Sequence, residues 1–205
     1  MDLLMATHNA HKTREIQRIL GTEFAVRDLS EHPDISKPLE NGKTFEENAS
    51  LKAIAASSEL PSLVIADDSG LEVDALGGAP GIYSARYASE NATDKANIDK
   101  LLRELARQNV PTDQRTARFR CVVAAARNGT LLRTFEGVVE GTIVDLPRGS
   151  HGFGYDPVFQ PKGFDQTFGE MASQLKNKIS HRAKAIVALR EALRAGEIAD
   201  AAAAD

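Results

Sequence analysis

One stretch of the chain decides the fold, residues 63–70, which reads LVIADDSG. Leu63 to Ala66 is continuously apolar, which predicts a short buried strand. We expect Asp67-Asp68-Ser69-Gly70 to stop it, because these residues favour turns. Ligands of open α/β sheets bind beyond the carboxyl ends of strands, and a cation offsets the repulsion between two adjacent carboxylates. The stretch therefore predicts either an acidic turn or a cation-binding edge, and its residues alone leave both open.

The segments before this stretch alternate between strand and helix patterns. Leu3 to Ala6 predicts a first buried strand, and apolar residues at helical spacing predict a helix from Ala10 to Leu20. Phe24 to Val26 predicts a second strand. The capping box Thr44-Phe45-Glu46-Glu47 opens a predicted helix that runs to about Ser58.

The segments after it predict one more helix, a hairpin and a C-terminal helix. Thr93 is placed to cap a helix, and two strand-like runs, Thr116 to Ala126 and Leu131 to Val144, are joined by the turn signal Asn128-Gly129. An apolar stripe from Ile179 to Leu193 predicts a long amphipathic helix. Alternating elements followed by a hairpin predict an α/β fold with a mixed sheet.

Composition bounds the function without identifying it. The chain has 205 residues, 42% hydrophobic and 26% charged, so we expect one domain over residues 1–198 and a flexible, alanine-rich tail at 199–205. The formal net charge of −4 argues against a large nucleic-acid surface. No apolar run approaches a membrane span, and the lone cysteine, Cys121, lies among apolar residues, which predicts core packing. We expect a cytoplasmic protein.

The turn Thr7-His8-Asn9-Ala10-His11-Lys12 lies between the first strand and the first helix. Such a turn directs backbone N–H groups and the positive end of a helix at one point, which suits phosphate. Lys12 would add a charge there. The simpler interpretation is that Thr7 or Asn9 caps the helix and Lys12 is solvated, and from these residues alone we favour it.

Other candidates are spread along the chain, each with a structural alternative. Lys52 shares a helix face with Asn48 and is either a ligand or a solvated lysine. Phe153, between two glycines, is either a stacking surface for a base or a loop anchor. Asp156 is fixed in extended backbone by the following proline. Ser180-His181-Arg182 begins or interrupts the last helix, and Arg182 there serves either a ligand or a salt bridge with a neighbouring carboxylate.

The order and spacing of these motifs are far more specific than any one of them. The chain resembles the inosine/xanthosine triphosphate pyrophosphatase family from about Met5 to Ala185. The resemblance is carried by Thr7-x-Asn9-x-x-Lys12, Thr44-Phe45-Glu46-Glu47-Asn48-Ala49, Asp67-Asp68-Ser69-Gly70-Leu71 with Gly77-Gly78-Ala79-Pro80-Gly81, Phe153-Gly154-Tyr155-Asp156-Pro157 and Ser180-His181-Arg182.

The resemblance implies an α/β fold with an elongated mixed central sheet flanked by helices, and two lobes with a cleft between them. It also implies a homodimer that uses Mg²⁺ and hydrolyses inosine and xanthosine triphosphates, or their deoxy forms, to monophosphate and pyrophosphate. No nucleic acid or membrane partner is implied.

Carried onto this chain, the family's site residues fall into three groups. Glu40 and Asp68 would bind Mg²⁺, with Asp68 also the general base. The phosphates would be held by Thr7, His8, Asn9, Ala10, His11, Lys12 and Lys52, and Ser69 would touch the substrate. The base would be bound by Phe153, Gly154, Tyr155, Asp156, Lys176, His181 and Arg182. Ser173-Gln174-Leu175 lacks the acidic residues often found in the family there, so among these residues Lys176 is the one whose role the resemblance supports least.

Three other functions remain open from the sequence. One is a related pyrophosphatase that acts on other modified bases, and a second is a nucleotide-binding module without turnover. The third is a phosphatase with an aspartyl nucleophile, which would release inorganic phosphate instead of pyrophosphate.

Overall fold

The computed structural model describes residues 1–8, 10–32, 34–35, 38 and 40–198. Within these residues the fold is α/β, as predicted. The strands are β1 (Asp2–Met5), β2 (Ala25–Asp28), β3 (Val64–Val73), β4 (Thr116–Arg127), β5 (Thr130–Ile143) and β6 (Phe159–Pro161). The α-helices are α1 (Ala10–Leu20), α2 (Phe45–Glu59), α3 (Asp94–Arg107), α4 (Ser173–Ile179) and α5 (His181–Arg194). The predicted tail, 199–205, lies outside the described residues.

The strands form a mixed sheet in the order β2-β1-β3-β4-β5-β6. β1 pairs in parallel with both β2 and β3, whereas β5 and β6 are antiparallel. The predicted turn joins β4 to β5 through Asn128 and Gly129, both at positive φ (50° and 75°). A two-residue hairpin turn of this kind needs residues that tolerate a left-handed backbone, which Asn and Gly do.

The prediction that the acidic residues stop the third strand is wrong. β3 continues through Asp67-Asp68-Ser69-Gly70 to Val73. It can do so because Leu71 and Val73 are fully buried, and because each carboxylate has a cationic partner in the structure. Paired carboxylates do not need solvent, so they do not end the strand.

The predicted long C-terminal helix is α5, and a short helix that the sequence did not predict, α4, precedes it. α4 ends at Ile179, Ser180 has extended backbone (φ −66°, ψ 160°), and α5 begins at His181. The expectation that Ser180-His181-Arg182 begins or interrupts the last helix is confirmed, because α5 begins at His181.

The chain divides into two compact units. The first comprises Met1–Asp68, Cys121–Gly137 and Arg182–Asp205, and the second Ser69–Arg120 and Val138–His181. Each has its own apolar core. The first core includes Leu3, Met5, Ile16, Ile65, Cys121, Ile186 and Leu189, and the second includes Leu71, Val73, Leu101, Leu105, Phe119, Phe159 and Phe168.

Cys121 is a core residue, as predicted. Its side chain is fully buried, and burial raises the pKa of its thiol to about 12, so the nucleophilic thiolate is not populated at neutral pH. In the described part of the chain, no helix combines the length and apolar character needed to cross a bilayer.

Candidate functional site

The turn from β1 to α1 brings Lys12 to the carboxylate of Asp67. Met5, the last residue of β1, pairs in parallel with Ile65 of β3, so Asp67 lies beyond the end of β1. Lys12 lies in the first turn of α1, and its Nζ donates to both carboxylate oxygens of Asp67, at 2.9 and 3.1 Å. The predicted phosphate turn and the predicted acidic edge are therefore neighbours in the first unit.

Asp67 is also bound by Arg182, from the first turn of α5. The Nε and Nη2 of Arg182 donate to Asp67 Oδ2 at 3.3 and 3.2 Å, and its Nη1 donates to Glu15 at 2.9 Å. Burial opposes ionisation of Asp67, but Lys12 and Arg182 outweigh it and hold the pKa of Asp67 well below its ordinary value. Asp67 is thus a buried anion fixed between two cations.

Arg182 therefore has the salt bridge that the sequence left open as its alternative role. Its side chain is 1% exposed, and although burial opposes its charge, Asp67 and Glu15 raise its pKa above the ordinary arginine value. We predicted that Arg182 lines the base edge. That role stays a prediction, and it would require the guanidinium to leave these carboxylates.

Asp68 points away from Asp67, as alternation along a strand requires. Its Oδ1 accepts from Lys52 Nζ at 3.0 Å and its Oδ2 accepts from Asn48 Nδ2 at 3.2 Å. Both partners lie one turn apart on α2, so the expected shared face of that helix is confirmed. Glu40 lies 3.5 Å from the same Lys52 ammonium, and the two carboxylates therefore converge on one cation.

The charge of Asp68 is incompletely balanced. Burial raises the pKa of Asp68, Lys52 opposes this shift, and the nearby carboxylates of Glu40 and Asp67 add to it. Burial opposes the charge of Lys52, but the carboxylates of Asp68, Asp67 and Glu40 outweigh this effect and raise the pKa of Lys52. The two shifts are consistent, because one ammonium is shared among several carboxylates, and a further cation would stabilise the ionised form of Asp68.

The donor set of Glu40 and Asp68 fits a magnesium ion. Within the described residues, no group of three or more His, Cys, Asp and Glu side chains could hold a metal ion. Mg²⁺ does not need such a group, because it keeps several waters and binds through one or two carboxylates plus substrate phosphates. Glu40 and Asp68, both beside Lys52, meet that lower requirement.

A cavity of about 210 Å³ lies in the first unit beside this cluster. It is lined by Ala6, Thr7, His8, Lys12, Leu29, Ile35, Pro38, Glu40, Lys52, Ala56 and Asp67. The lining combines two lysines with two carboxylates, Glu40 and Asp67, so an anionic ligand would be favoured there together with a cation. The N–H of Thr7 already donates to Met5 O at 2.8 Å. Among the other predicted phosphate residues, Asn9 and the side chains of Ala10 and His11 lie outside what the structure describes.

In the second unit, Phe153, Asp156 and Lys176 come together. The loop of residues 149–157, here the Phe153 loop, leaves the Phe153 side chain 46% exposed, whereas Asp156 and Lys176 are buried. Asp156 Oδ2 accepts from the N–H of Phe153 at 2.9 Å and forms an ion pair with Lys176. The Lys176 ammonium lies 5.0 Å from the Phe153 ring centroid. Lys176, whose role the family resemblance supports least, is therefore next to the predicted stacking ring.

The remaining predicted residues of the second unit have structural contacts. Tyr155 is buried and donates its O–H to Ser84 O at 2.8 Å, and burial raises the pKa of this phenol. His181 is buried and stacks on Phe119, with ring centroids 4.7 Å apart. Ser69 is half-buried and follows Asp68 on β3. Their contacts with a ligand stay predictions.

Comparison with known proteins assigns the chain to a family. A model described as the Ham1 family matches residues 3–192. The chain belongs to the Ham1 family. It is 49% identical over 195 residues to a Bacillus subtilis protein named dITP/XTP pyrophosphatase, covering 95% of this chain and 98% of that protein. A protein of the same name from Shouchella clausii is 48% identical, with 94% of this chain and 96% of that protein covered.

Solved structures agree with this Ham1 assignment. The Staphylococcus aureus Ham1 protein matches with a TM-score of 0.85 at 42% identity, covering 95% of this chain and 99% of that one. A Mycobacterium abscessus structure, named nucleoside-triphosphatase and dITP/XTP pyrophosphatase, matches with a TM-score of 0.75 at 36% identity and covers 92% of this chain and 98% of that one. The family resemblance and the α/β fold predicted from sequence are confirmed.

Sequence reasoning missed two features of this Ham1 chain. Glu15, one turn after Lys12, carried no signal of its own, because acidic residues are ordinary near a helix N-terminus. Its partner Arg182 is 167 residues away in the chain, so spacing could not reveal the pair. Asp94 was also missed: its Oδ2 accepts from the N–H of Gly154 at 2.6 Å.

Proposed function

We propose that this chain hydrolyses the non-canonical purine nucleoside triphosphates ITP, dITP, XTP and dXTP to monophosphate and pyrophosphate, clearing them from the nucleotide pool. One observation carries the proposal: Lys12, Lys52 and Glu40 line one cavity, and Asp68 shares the ammonium of Lys52. The names of the relatives support the same substrates.

The first unit would bind the triphosphate. Lys12 and Lys52 donate to phosphate oxygens, and Asp67 holds Lys12 in place through its two hydrogen bonds. Glu40 and Asp68 would hold Mg²⁺, which, when bound, supplies charge neutralisation at the phosphates and polarises a water. Charge neutralisation is the main need of this reaction, because negative charge accumulates on the leaving pyrophosphate.

Asp68 would accept the proton of the attacking water. Its carboxylate is fixed by Lys52 and Asn48 on one side of β3, and a positioned carboxylate of this kind contributes about 10²–10⁴-fold to a rate. The alternative base, Asp67, is unsuitable, because two cations lower its pKa and thus its affinity for a proton.

The second unit would bind the purine. The exposed Phe153 ring offers a stacking face, and Lys176 beside it can only donate hydrogen bonds. Hypoxanthine and xanthine carry a keto oxygen where adenine carries an amino group, so they accept from such a donor and adenine does not. One such pair discriminates by about 1–3 kcal/mol.

We also propose a cytoplasmic location, and a homodimer, which the family resemblance implies. Static light scattering of the purified chain checks the homodimer, with twice the chain mass of 22.1 kDa expected.

Replacing Gly152 is expected to damage base binding specifically. A Cβ at Gly152 would lie 1.9 Å from Asp156 Oδ2 and 3.1 Å from Lys176 Nζ, and its φ of +78° adds strain. Gly152→Ala should therefore displace the pair that holds Phe153 and raise KM for dITP by about tenfold or more, the loss of one base stack. Steady-state kinetics with pyrophosphate detection measures this.

Gly163→Ala is the matched control for this substitution. Gly163 has a similar φ of +88°, but nothing lies within 4 Å of its added Cβ. It therefore tests strain without collision, and KM should stay near the wild-type value. A KM that rises equally in both variants would contradict the assignment of the Phe153 loop to the base.

A substrate panel tests the proposed function as a whole. Purified chain with Mg²⁺ is offered ITP, dITP, XTP, ATP, GTP and modified pyrimidine triphosphates, and both pyrophosphate and inorganic phosphate are measured. We expect pyrophosphate from ITP, dITP and XTP but not from ATP or GTP. Activity should be lost with EDTA and recovered with added Mg²⁺. Preference for modified pyrimidines would favour the related pyrophosphatase, and inorganic phosphate or no product would overturn the proposal.

A further inference from the structure

Two consecutive amides of the Phe153 loop are held by carboxylates from different elements. The N–H of Phe153 donates to Asp156 Oδ2 at 2.9 Å, and the N–H of Gly154 donates to Asp94 Oδ2 at 2.6 Å. Asp156 belongs to the loop itself, whereas Asp94 is the first residue of α3. Asp94 therefore ties the loop to a separate, regular element of the second unit.

Helix α3 is a firm anchor for this contact. Its N-cap is Thr93, which accepts from the N–H of Ala96 at 3.2 Å, and the helix buries Ile98, Leu101 and Leu105 in the core of the second unit. A carboxylate in the first turn is also stabilised by the helix dipole. The Asp94 oxygen that receives the Gly154 amide is therefore placed by the fold.

The position of the Phe153 ring depends on contacts that hold its backbone. The ring is half-exposed, so core packing does not fix it, and it lies between Gly152 (φ +78°) and Gly154 (φ +60°). Glycine is the residue with the widest choice of backbone conformations, and a flexible binding loop must be ordered at the expense of affinity. Asp94, Gly152, Phe153 and Gly154 also line a shared cavity of about 400 Å³.

We propose that Asp94 is a positioning residue for the purine, which sets the affinity for the base by fixing the Phe153 loop before the nucleotide binds. The inference rests on the proposed role of Phe153 as the stacking surface. Because the Asp94 carboxylate holds the loop and not the reacting phosphates, its loss weakens binding and leaves the chemical step unchanged.

The test compares Asp94→Ala and Asp94→Asn with Asp99→Ala in the full chain. Asp99 is the matched control, since it lies on the same helix, lines the same cavity and pairs with Lys95 at 2.6 Å. For Asp94→Ala we expect KM for dITP to rise by about tenfold, as for loss of one charge-assisted hydrogen bond, with kcat unchanged. Asp94→Asn should fall between this and the wild type, because its amide oxygen still accepts from Gly154, and Asp99→Ala should match the wild type.

Hydrogen exchange at the Gly154 amide gives a readout that is independent of turnover. Exchange should accelerate in Asp94→Ala and stay at the wild-type rate in Asp99→Ala. If Asp94→Ala lowers the Tm, the KM and the exchange rate of Asp94→Asn are the deciding measurements. Asparagine keeps an oxygen that accepts from the Gly154 amide. Unchanged KM and exchange, or a fall in kcat at unchanged KM, would overturn the proposal, whereas a wild-type chain without pyrophosphate release would instead overturn the proposed function.

Discussion

Asp68→Asn is expected to abolish pyrophosphate release from dITP while the protein stays folded. Asparagine keeps the shape of the side chain and a hydrogen-bond acceptor for Lys52, which lies 3.0 Å from Asp68 in the wild type. It removes the charge that would hold the cation and the site that would take the proton. Loss of a general base alone lowers kcat by about 10²–10⁴-fold, and loss of metal affinity adds to this.

Asp2→Asn controls for removal of one negative charge. Asp2 is exposed and forms an ion pair with Arg27 at 3.8 Å, so activity should equal that of the wild type. Circular dichroism and the Tm of Asp68→Asn establish that it is folded. Near-normal turnover by folded Asp68→Asn would refute the assignment of Asp68 as base and metal ligand.

The second large effect is expected at Asp67, and it is an effect on stability. Asp67→Asn removes the anion between Lys12 and Arg182 and leaves the guanidinium of Arg182, 1% exposed, with Glu15 as its remaining carboxylate partner in these contacts. Breaking a buried ion pair from one side lowers the free energy of unfolding by about 3–5 kcal/mol. Urea unfolding at neutral pH measures the difference.

Asp74→Asn is the matched control, because Asp74 also accepts from an arginine, Arg118 at 2.8 Å, but its side chain is 43% exposed. An exposed pair contributes only about 0–1 kcal/mol. Equal losses of stability at Asp67 and Asp74 would contradict the account of Asp67 as a buried anion held by two cations.

The stability difference at Asp67 should depend on pH in one direction. The folded-state pKa of Asp67 lies below its unfolded value, so its ionisation stabilises the fold fully above the unfolded pKa of about 4. This contribution is lost as the pH falls below that value. The gap between wild type and Asp67→Asn should therefore be constant near neutral pH and shrink on acidification.

The sequence correctly predicted the elements whose signals lie within a few residues of one another. The capping box at Thr44 predicted the start of α2, where the Thr44 hydroxyl accepts from the N–H of Glu47 at 3.0 Å. The Asn128-Gly129 pair predicted the hairpin turn in the same way. These signals work because a cap or a tight turn is completed within a few residues.

The error in β3 shows where local signals fail. Asp67-Asp68-Ser69-Gly70 favours a turn when taken alone, but the strand continues because the two carboxylates form ion pairs with Lys12, Lys52 and Arg182. Those partners are up to 115 residues distant, and no spacing rule links them. Burial of a charged group depends on long-range pairing, which only the fold reveals.

The order of the motifs in the sequence predicted part of the candidate site. Lys12, Asp67, Asp68 and Lys52 were singled out and lie together in the first unit. The burial of Arg182 and the contact of Asp94 with the Phe153 loop could not be anticipated, because both depend on where a helix terminus lies relative to a distant segment.

The position of bond cleavage tests the central claim most directly. Purified chain is allowed to turn over dITP with Mg²⁺ in water enriched in ¹⁸O, and the products are examined by mass spectrometry. Our account predicts deoxyinosine monophosphate carrying one ¹⁸O atom and unlabelled pyrophosphate, since water attacks the α-phosphorus. Deoxyinosine diphosphate with labelled inorganic phosphate, or label in the pyrophosphate, would contradict it.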